Sequence, residues 1–165
     1  LVFTAATTVK KSRIDRFSEN KLTETLDTNL FGFLRLIKFF YPALKETKGR
    51  VVAVNSIAGK TYSEFSGIEY VSSKGALSAA VRQLSMDLAE EKILINSVFP
   101  SMTQTKMLIE NVEKQNIEQI QKKIPLRKLA TPFDTARAIE FLISDENNYI
   151  TGTGIDISGG IHLSG

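Results

Sequence analysis

A serine, a tyrosine and a lysine near the middle of the chain are residue types that can move a proton to or from an oxygen. Ser56 stands just past a short apolar run, Val51 to Val54, bounded by Gly49 and Asn55. Small residues and a polar loop come next, then Tyr70, and Lys74 four positions later. Positions i and i+4 are neighbours on one helix face, so a phenol and an ammonium stand one turn apart. A free phenol titrates near ~10 and is a poor base at neutral pH. A cation about 5 Å away, at an effective dielectric of ~20, is worth roughly 3 kcal/mol, or about two pKa units towards the phenolate. Ser56 would hydrogen-bond a substrate oxygen and hold it within reach of Tyr70. This chemistry requires no metal, and no clustered metal ligands are visible in the sequence.

The surrounding pattern supplies elements to position these groups. Val51 to Val54 reads as a buried strand. Leu77, Val81, Leu84 and Leu88 continue from Lys74 at helical spacing, giving a helix from about Ile68 to Glu91. A strand from Ile93 to Phe99 comes after it. Upstream, Leu1 to Ala5 reads as the end of a buried strand, with a loop over Thr4 to Thr8. Ser18 is placed to cap a long helix whose apolar positions include Leu26, Leu30, Phe33, Leu34, Ile37, Phe40, Tyr41 and Leu44. Thr131-Pro132 opens another helix, with proline at its first turn, and Gly154 to Ile157 forms a last strand ended by Gly159-Gly160. Strands alternating with helices give a parallel α/β sheet, and such sheets collect ligands at the carboxyl ends of their strands. Ser56, Tyr70 and Lys74 converge there.

Those residues, with Asn29 in TLDTNLFGF, the run Pro100-Ser101-Met102-Thr103-Gln104-Thr105 and the closing stretch IPLRKLATPFDTARAIEFLISDENNYITGTGIDISGG, resemble the short-chain dehydrogenase/reductases. The resemblance covers nearly the whole chain. It implies a Rossmann-like three-layer sandwich with a parallel sheet, incomplete, with only the later strands and helices present in one partial domain. It implies NAD or NADP as cofactor and a small carbonyl or secondary alcohol as substrate, interconverted by hydride transfer with Tyr70 as acid/base. Ser56, Tyr70, Lys74 and Asn29 take the catalytic positions, and Asn29 would hold a water in a proton relay. Tyr70, Lys74, Pro100, Ser101, Thr103 and Thr105 would contact the cofactor, with Lys74 on the nicotinamide ribose. Lys106 to Lys123, with a stripe of Met107, Leu108, Val112, Ile117, Ile120 and Ile124, corresponds to the family's lid over the substrate. The helix around Asn29, around which Phe31, Phe39 and Phe40 spread, and the helix after Tyr70 would pair subunits into a homodimer or homotetramer.

The chain also departs from the pattern. Phe3-Thr4-Ala5-Ala6 stands where the family has Asn-Asn-Ala-Gly, and Ser101 replaces a glycine. The glycine-rich GxxxGxG turn is absent, as is the position that selects between NAD and NADP. The absent portion amounts to roughly 80–90 residues, at ~30 or more per βαβ unit.

At 165 residues the chain suits one domain with a sizeable core. The net charge of +3 is mild and the basic residues are scattered, which speaks against a nucleic-acid partner. The absence of cysteine excludes disulfides and thiolate metal sites and fits a cytoplasmic location. No apolar run reaches the ~18–20 residues of a membrane span. Tyr41 and Lys45 also satisfy YxxxK, but no serine-ended strand precedes them at the right distance and Pro42 comes directly after, so they read as structural. Gly59-Lys60-Thr61 mimics the end of a phosphate loop, yet Val54 stands where that pattern needs glycine. His162, the only histidine, reads as a surface or subunit-contact residue beyond the last strand. The alternative to an enzyme is a catalytically silent chain serving as a pairing or regulatory module.

Overall fold

The computed structural model of the chain describes residues 1–11, 13–106, 108 and 114–163. Among them, β1 (Val2–Phe3), β2 (Arg50–Val54), β3 (Leu94–Pro100) and β4 (Gly154–Ile157) pair in the order β1-β2-β3-β4, all parallel. Side chains alternate across a strand, and here the alternation divides two cores. Val51 and Ala53 of β2 and Ile95 of β3 join Phe3, Phe33, Ile37, Leu77 and Val81 on one face. Val52 and Val98 join Leu142 on the other, with Val54, Ile155, Ile157, Ala138 and Ile139 packed around them. Three layers result, as the alternation of strand and helix implied.

The first face is covered by α1 (Glu19–Leu26), α2 (Gly32–Thr47) and α3 (Ile68–Asp87), the second by α5 (Pro132–Ile143). Ser18 caps α1 as its position suggested, its hydroxyl accepting from the Lys21 N–H at 3.4 Å. Thr131 and Asp134 form a reciprocal capping box on α5, and Pro132 sits in its first turn. The helix expected to end at Glu91 stops at Asp87, and Lys92, at φ 60°, turns the chain into β3. The long helix expected from Ser18 onwards is not continuous. A π-helical turn over Asp27–Phe31, with Asn29 inside it, separates α1 from α2. Residues Lys114–Lys123 form α4. Ile120 and Ile124 pack with Leu108 and Leu129 into a small third core, against which Phe65, Met102 and Ile117 lie. Met107 and Val112 of the expected stripe lie outside the described residues. Among the described residues no helix is long and apolar enough to cross a membrane.

One contact fixes the distance between the β2 end and α3. Gly59 lies so close to α3 that an added Cβ would stand 2.8 Å from the Lys74 carbonyl oxygen and 2.9 Å from the Asn55 Oδ1. Backbone cannot yield cheaply there. Gly59→Ala is therefore expected to destabilise the fold by about 1–3 kcal/mol, the usual cost of overpacking. Urea denaturation of the variant against the parent measures it.

Candidate active site

The site is built from the carboxyl end of β2 outwards. The Asn55 N–H donates to the Val98 carbonyl at 2.9 Å, which carries the β2–β3 ladder one residue past the strand. The Asn55 side chain then clamps Ser56 and the facing turn of α3. Its Oδ1 accepts from the Ser56 N–H at 2.9 Å, and its Nδ2 donates to the Ser78 Oγ, also at 2.9 Å. Ser78 in turn donates to the Lys74 carbonyl at 3.0 Å. Ser56 itself is extended, and its Oγ accepts from the Ala58 N–H at 3.2 Å, capping a short 3₁₀ turn over Ile57–Gly59.

Tyr70 and Lys74 lie one turn apart in the first half of α3, as their spacing required. Tyr70 and Ser56 line the same cavity. Burial pushes the Tyr70 phenol above its ordinary value, and the nearby Ser56 hydroxyl opposes that rise. The expected two-unit depression by Lys74 is not found: the phenol is shifted upwards, and burial is the largest cause. Lys74 is only 1% exposed. Its ammonium donates to the Val54 carbonyl at 2.9 Å and lies 5.8 Å from the centroid of the Tyr70 ring. Burial lowers it from 10.5 to about 8. The arrangement thus pairs a protonated phenol with a cation that titrates just above neutrality.

Asn29 is fully buried in the π-turn. Its Oδ1 accepts from the Thr7 N–H at 2.8 Å, and its Nδ2 donates to the Thr7 carbonyl at 3.0 Å and to the Ser73 Oγ at 2.9 Å. Ser73 donates onward to the Tyr70 carbonyl at 2.8 Å. The amide therefore ties the loop after β1 to the turn of α3 that carries Tyr70.

A cavity of about 350 Å³ opens over this floor. Ser56 and Tyr70 line it, together with Ser101, Thr103 and Thr105 from the loop beyond β3. Pro100 closes β3 and, like Lys74 and Asn29, lies behind the cavity wall. The Ser101 N–H donates to the Ile157 carbonyl at 3.1 Å, and Thr103 bridges to Ala130. Ser101 does not have a positive φ, so serine in place of glycine brings no backbone strain there. Leu108 and Ile120 close the cavity from the lid side, and Lys123 of α4 binds both carboxylate oxygens of Glu64, at 3.0 and 2.9 Å. Among the described residues, no three histidine, cysteine or acidic side chains gather as a metal site would need.

The competing motifs resolve elsewhere. The Tyr41 hydroxyl donates to Glu91 at 2.8 Å and Lys45 meets the same carboxylate at 3.5 Å, which makes them a strut between α2 and the end of α3. Lys60 of the phosphate-loop mimic is bound to Asp156 at 2.5 Å. Two contributors, Asn55 and Ser78, escape the sequence reading. Their signals are a polar residue at a strand end and a serine four positions after Lys74, placed to bond back to its carbonyl. His162, expected on the surface, lines the cavity instead.

Parallel strands with helices on both faces, and a cavity lined by Ser56 and Tyr70, define a Rossmann-like α/β protein. A family model described as enoyl-(acyl carrier protein) reductase matches residues 1–162. Protein FixR of Bradyrhizobium diazoefficiens is 35% identical over 170 residues, covering 99% of this chain and 59% of FixR. The crystal structure of a 3-oxoacyl-[acyl-carrier protein] reductase from Brucella melitensis superposes with a TM-score of 0.92 at 26% identity, over 99% of this chain and 62% of that one. ElxO, solved with NADP bound, gives 0.88 at 26% identity, over 97% of this chain and 65% of its own. The chain belongs to the short-chain dehydrogenase/reductase family, and it spans about 59% of the length of FixR.

Removing the Asn29 amide strands a buried backbone N–H and carbonyl of Thr7. Asn29→Ala is expected to cost about 2–3 kcal/mol of stability. A chemical melt that moved by less than a tenth of that would show the amide is dispensable to the fold.

Proposed function

We propose that the protein is an NAD(P)-dependent oxidoreductase that interconverts a carbonyl and a secondary alcohol, with Tyr70 as the group that gives or takes the proton. The observation that carries this reading is that Tyr70, its phenol raised by burial, lines the cavity together with Ser56, one helical turn from the buried Lys74. Support for the cofactor class comes from ElxO, which holds NADP, and from the hydroxyls that Thr103 and Thr105 present to the cavity beside Tyr70. Those hydroxyls would hold the nicotinamide end of the cofactor, with Lys74 supporting it from behind the cavity wall. When bound, the nicotinamide would supply or accept the hydride.

This chain's own residues handle the oxygen. Ser56 donates to the carbonyl and keeps it against the phenol. Tyr70 passes its proton to the oxygen as negative charge develops there. Lys74 then stabilises the phenolate left behind, which burial alone would disfavour. The same group run backwards removes a proton from an alcohol, which asks for a lower phenol pKa than burial supplies.

The exposed apolar side chains of α2 and α3 support association of subunits. Phe39 is 76% exposed and Met86 74%, and Phe39 stacks edge-on against Phe40 with centroids 5.0 Å apart. A homodimer or homotetramer through these helices would cover them. Sedimentation of the full-length natural protein as a monomer at micromolar concentration would contradict this.

Tyr70→Phe removes the proton donor alone and is expected to cut ketone reduction by about 10²–10⁴-fold, the usual worth of such a group, while quenching of NADH or NADPH fluorescence on binding persists. Tyr41→Phe should stay within a few-fold of the parent. A dead Tyr41→Phe with a live Tyr70→Phe would mean the other YxxxK is the site. The pH profile gives a second check. Lys74 loses its proton as pH rises through about 8, so kcat/KM for reduction should fall above that pH. Arginine stays charged throughout, so Lys74→Arg should be slower but lack this falling limb.

A further inference from the structure

We infer that His162 is a substrate-binding residue, and that the substrate carries, besides its reacting carbonyl, a hydroxyl or amide N–H that donates to this imidazole. The inference rests on the oxidoreductase reading above. His162 lines the same cavity as Ser56 and Tyr70, yet the proton transfer assigned to those two leaves it unused. Its position is held by two direct contacts and one behind them. Its Nδ1 lies 3.0 Å from the Asp156 Oδ2. The Ser158 hydroxyl donates to its backbone carbonyl at 3.0 Å, pinning the segment just past β4. Asp156 is itself held by the Lys60 ammonium at 2.5 Å, and that ammonium sits 4.2 Å from the centroid of the Phe99 ring.

The position of Asp156 is dictated by the sheet. Its neighbours Ile155 and Ile157 face the core under α5, so period-two alternation turns Asp156 to the opposite face, where its strand partner is Phe99. A carboxylate there has to be paired, and Lys60 and His162 supply the pairing.

The chemistry of the site comes from the fixed ring. An ionised carboxylate only accepts hydrogen bonds, so Nδ1 carries the proton and Nε2 is the ring nitrogen left for a ligand, an acceptor wherever it carries no proton of its own. An acceptor of that kind recognises a donor. It gives nothing to an alkyl group and opposes a carboxylate. The remaining lining mixes apolar side chains, Ile57, Ala58, Met102 and Ile161 among them, with polar ones such as Thr61, Ser63 and Glu64, so the share of a donor's preference owed to the ring is what the His162 variants measure. Two sources have this chemistry, a hydroxyl on a hydroxyketone and an amide N–H on a β-keto amide.

The experiment uses the full-length natural protein with NADH and NADPH and two series of matched substrates. Alkyl ketones are compared with their hydroxy analogues, and β-keto esters with β-keto amides of equal length. The donor-bearing member of at least one series should be preferred by about tenfold in kcat/KM, mostly through KM, as one hydrogen bond at a desolvated acceptor allows. Which series shows it identifies the source. His162→Phe should bring that ratio to within about twofold of unity, and His162→Gln, whose amide oxygen still accepts, should retain part of it. Asp156→Asn should lower the ratio in the parent but change nothing further in the His162→Phe background, which a purely structural Asp156 would not do. If Asp156→Asn fails to fold, the two His162 variants decide alone. A preference that survives His162→Phe, or no preference in the parent, overturns the inference. No turnover of any substrate with either cofactor overturns the oxidoreductase reading, and this inference with it.

Discussion

The geometry of the site depends on one buried ammonium. Lys74 is enclosed almost completely, and a charge placed there has to find a partner or lose its proton. Its partner is a neutral one, the Val54 carbonyl at the last residue of β2. This ties the second turn of α3 to the end of a strand it does not adjoin in sequence. The contacts around it tighten the same junction. Gly59 presses on the Lys74 carbonyl from one side, and Ser78 and Asn55 link that carbonyl to the backbone of Ser56 from the other. Serine, tyrosine and lysine thus come to one place through backbone contacts between β2 and α3, with few side chains in between. A neutral partner leaves the ammonium poorly compensated, so its pKa falls to about 8.

That uncompensated charge has a chemical use. Burial moves the tyrosine and the lysine in opposite directions, the phenol up and the ammonium down, because in both cases it penalises the charged form. A proton given up by Tyr70 leaves a phenolate beside an ammonium, a pair that is worth more in this low-dielectric setting than either charge alone. In the proposed reaction the phenol would hold its proton until a substrate oxygen took it, and the ammonium would steady the anion that results. A donor and a counter-charge poised in one dry setting are what acid–base catalysis near neutrality requires.

The elements of the fold were legible because they rest on local signals. β2, β4 and the caps at Ser18 and Thr131 can be read from apolar runs, glycine boundaries and side chains that satisfy the first N–H groups of a helix. The Tyr70–Lys74 spacing was legible for the same reason. What escaped depends on contacts far apart in sequence. The π-turn at Asp27–Phe31 leaves the apolar periodicity nearly intact, so nothing in the pattern announces it, although such turns gather at functional positions. The Asn29 amide finds partners 22 and 44 residues away. The direction of the Tyr70 shift could not be read either, since spacing shows that a cation is near but not how deeply both groups are buried. His162 looked peripheral because it lies beyond the last strand, and only the facing of Asp156 brings it to the cavity.

The molecule also separates the parts that do chemistry from those that select what is acted on. Ser56, Tyr70 and Lys74 are anchored in β2 and α3, whose apolar residues belong to the large core under α2 and α3. The cover over the cavity is held by a different and smaller core around Leu108, Ile120, Ile124 and Leu129, reached from the rest of the chain mainly by Phe65 and Met102. Its tie to the loop after β2 is the Lys123–Glu64 pair, with side chains 57% and 44% exposed. A pair that open to solvent contributes about 1 kcal/mol at most. The cover can therefore be repacked or shifted at little expense to the sheet, whereas the acid–base groups cannot move without disturbing the junction at Val54. Substrate preference is free to vary in such an arrangement while the proton-transfer geometry stays fixed. His162 differs from the rest of the cavity lining in that Asp156 fastens it to the sheet, so a substrate contact there would be one the rest of the pocket has to be built around.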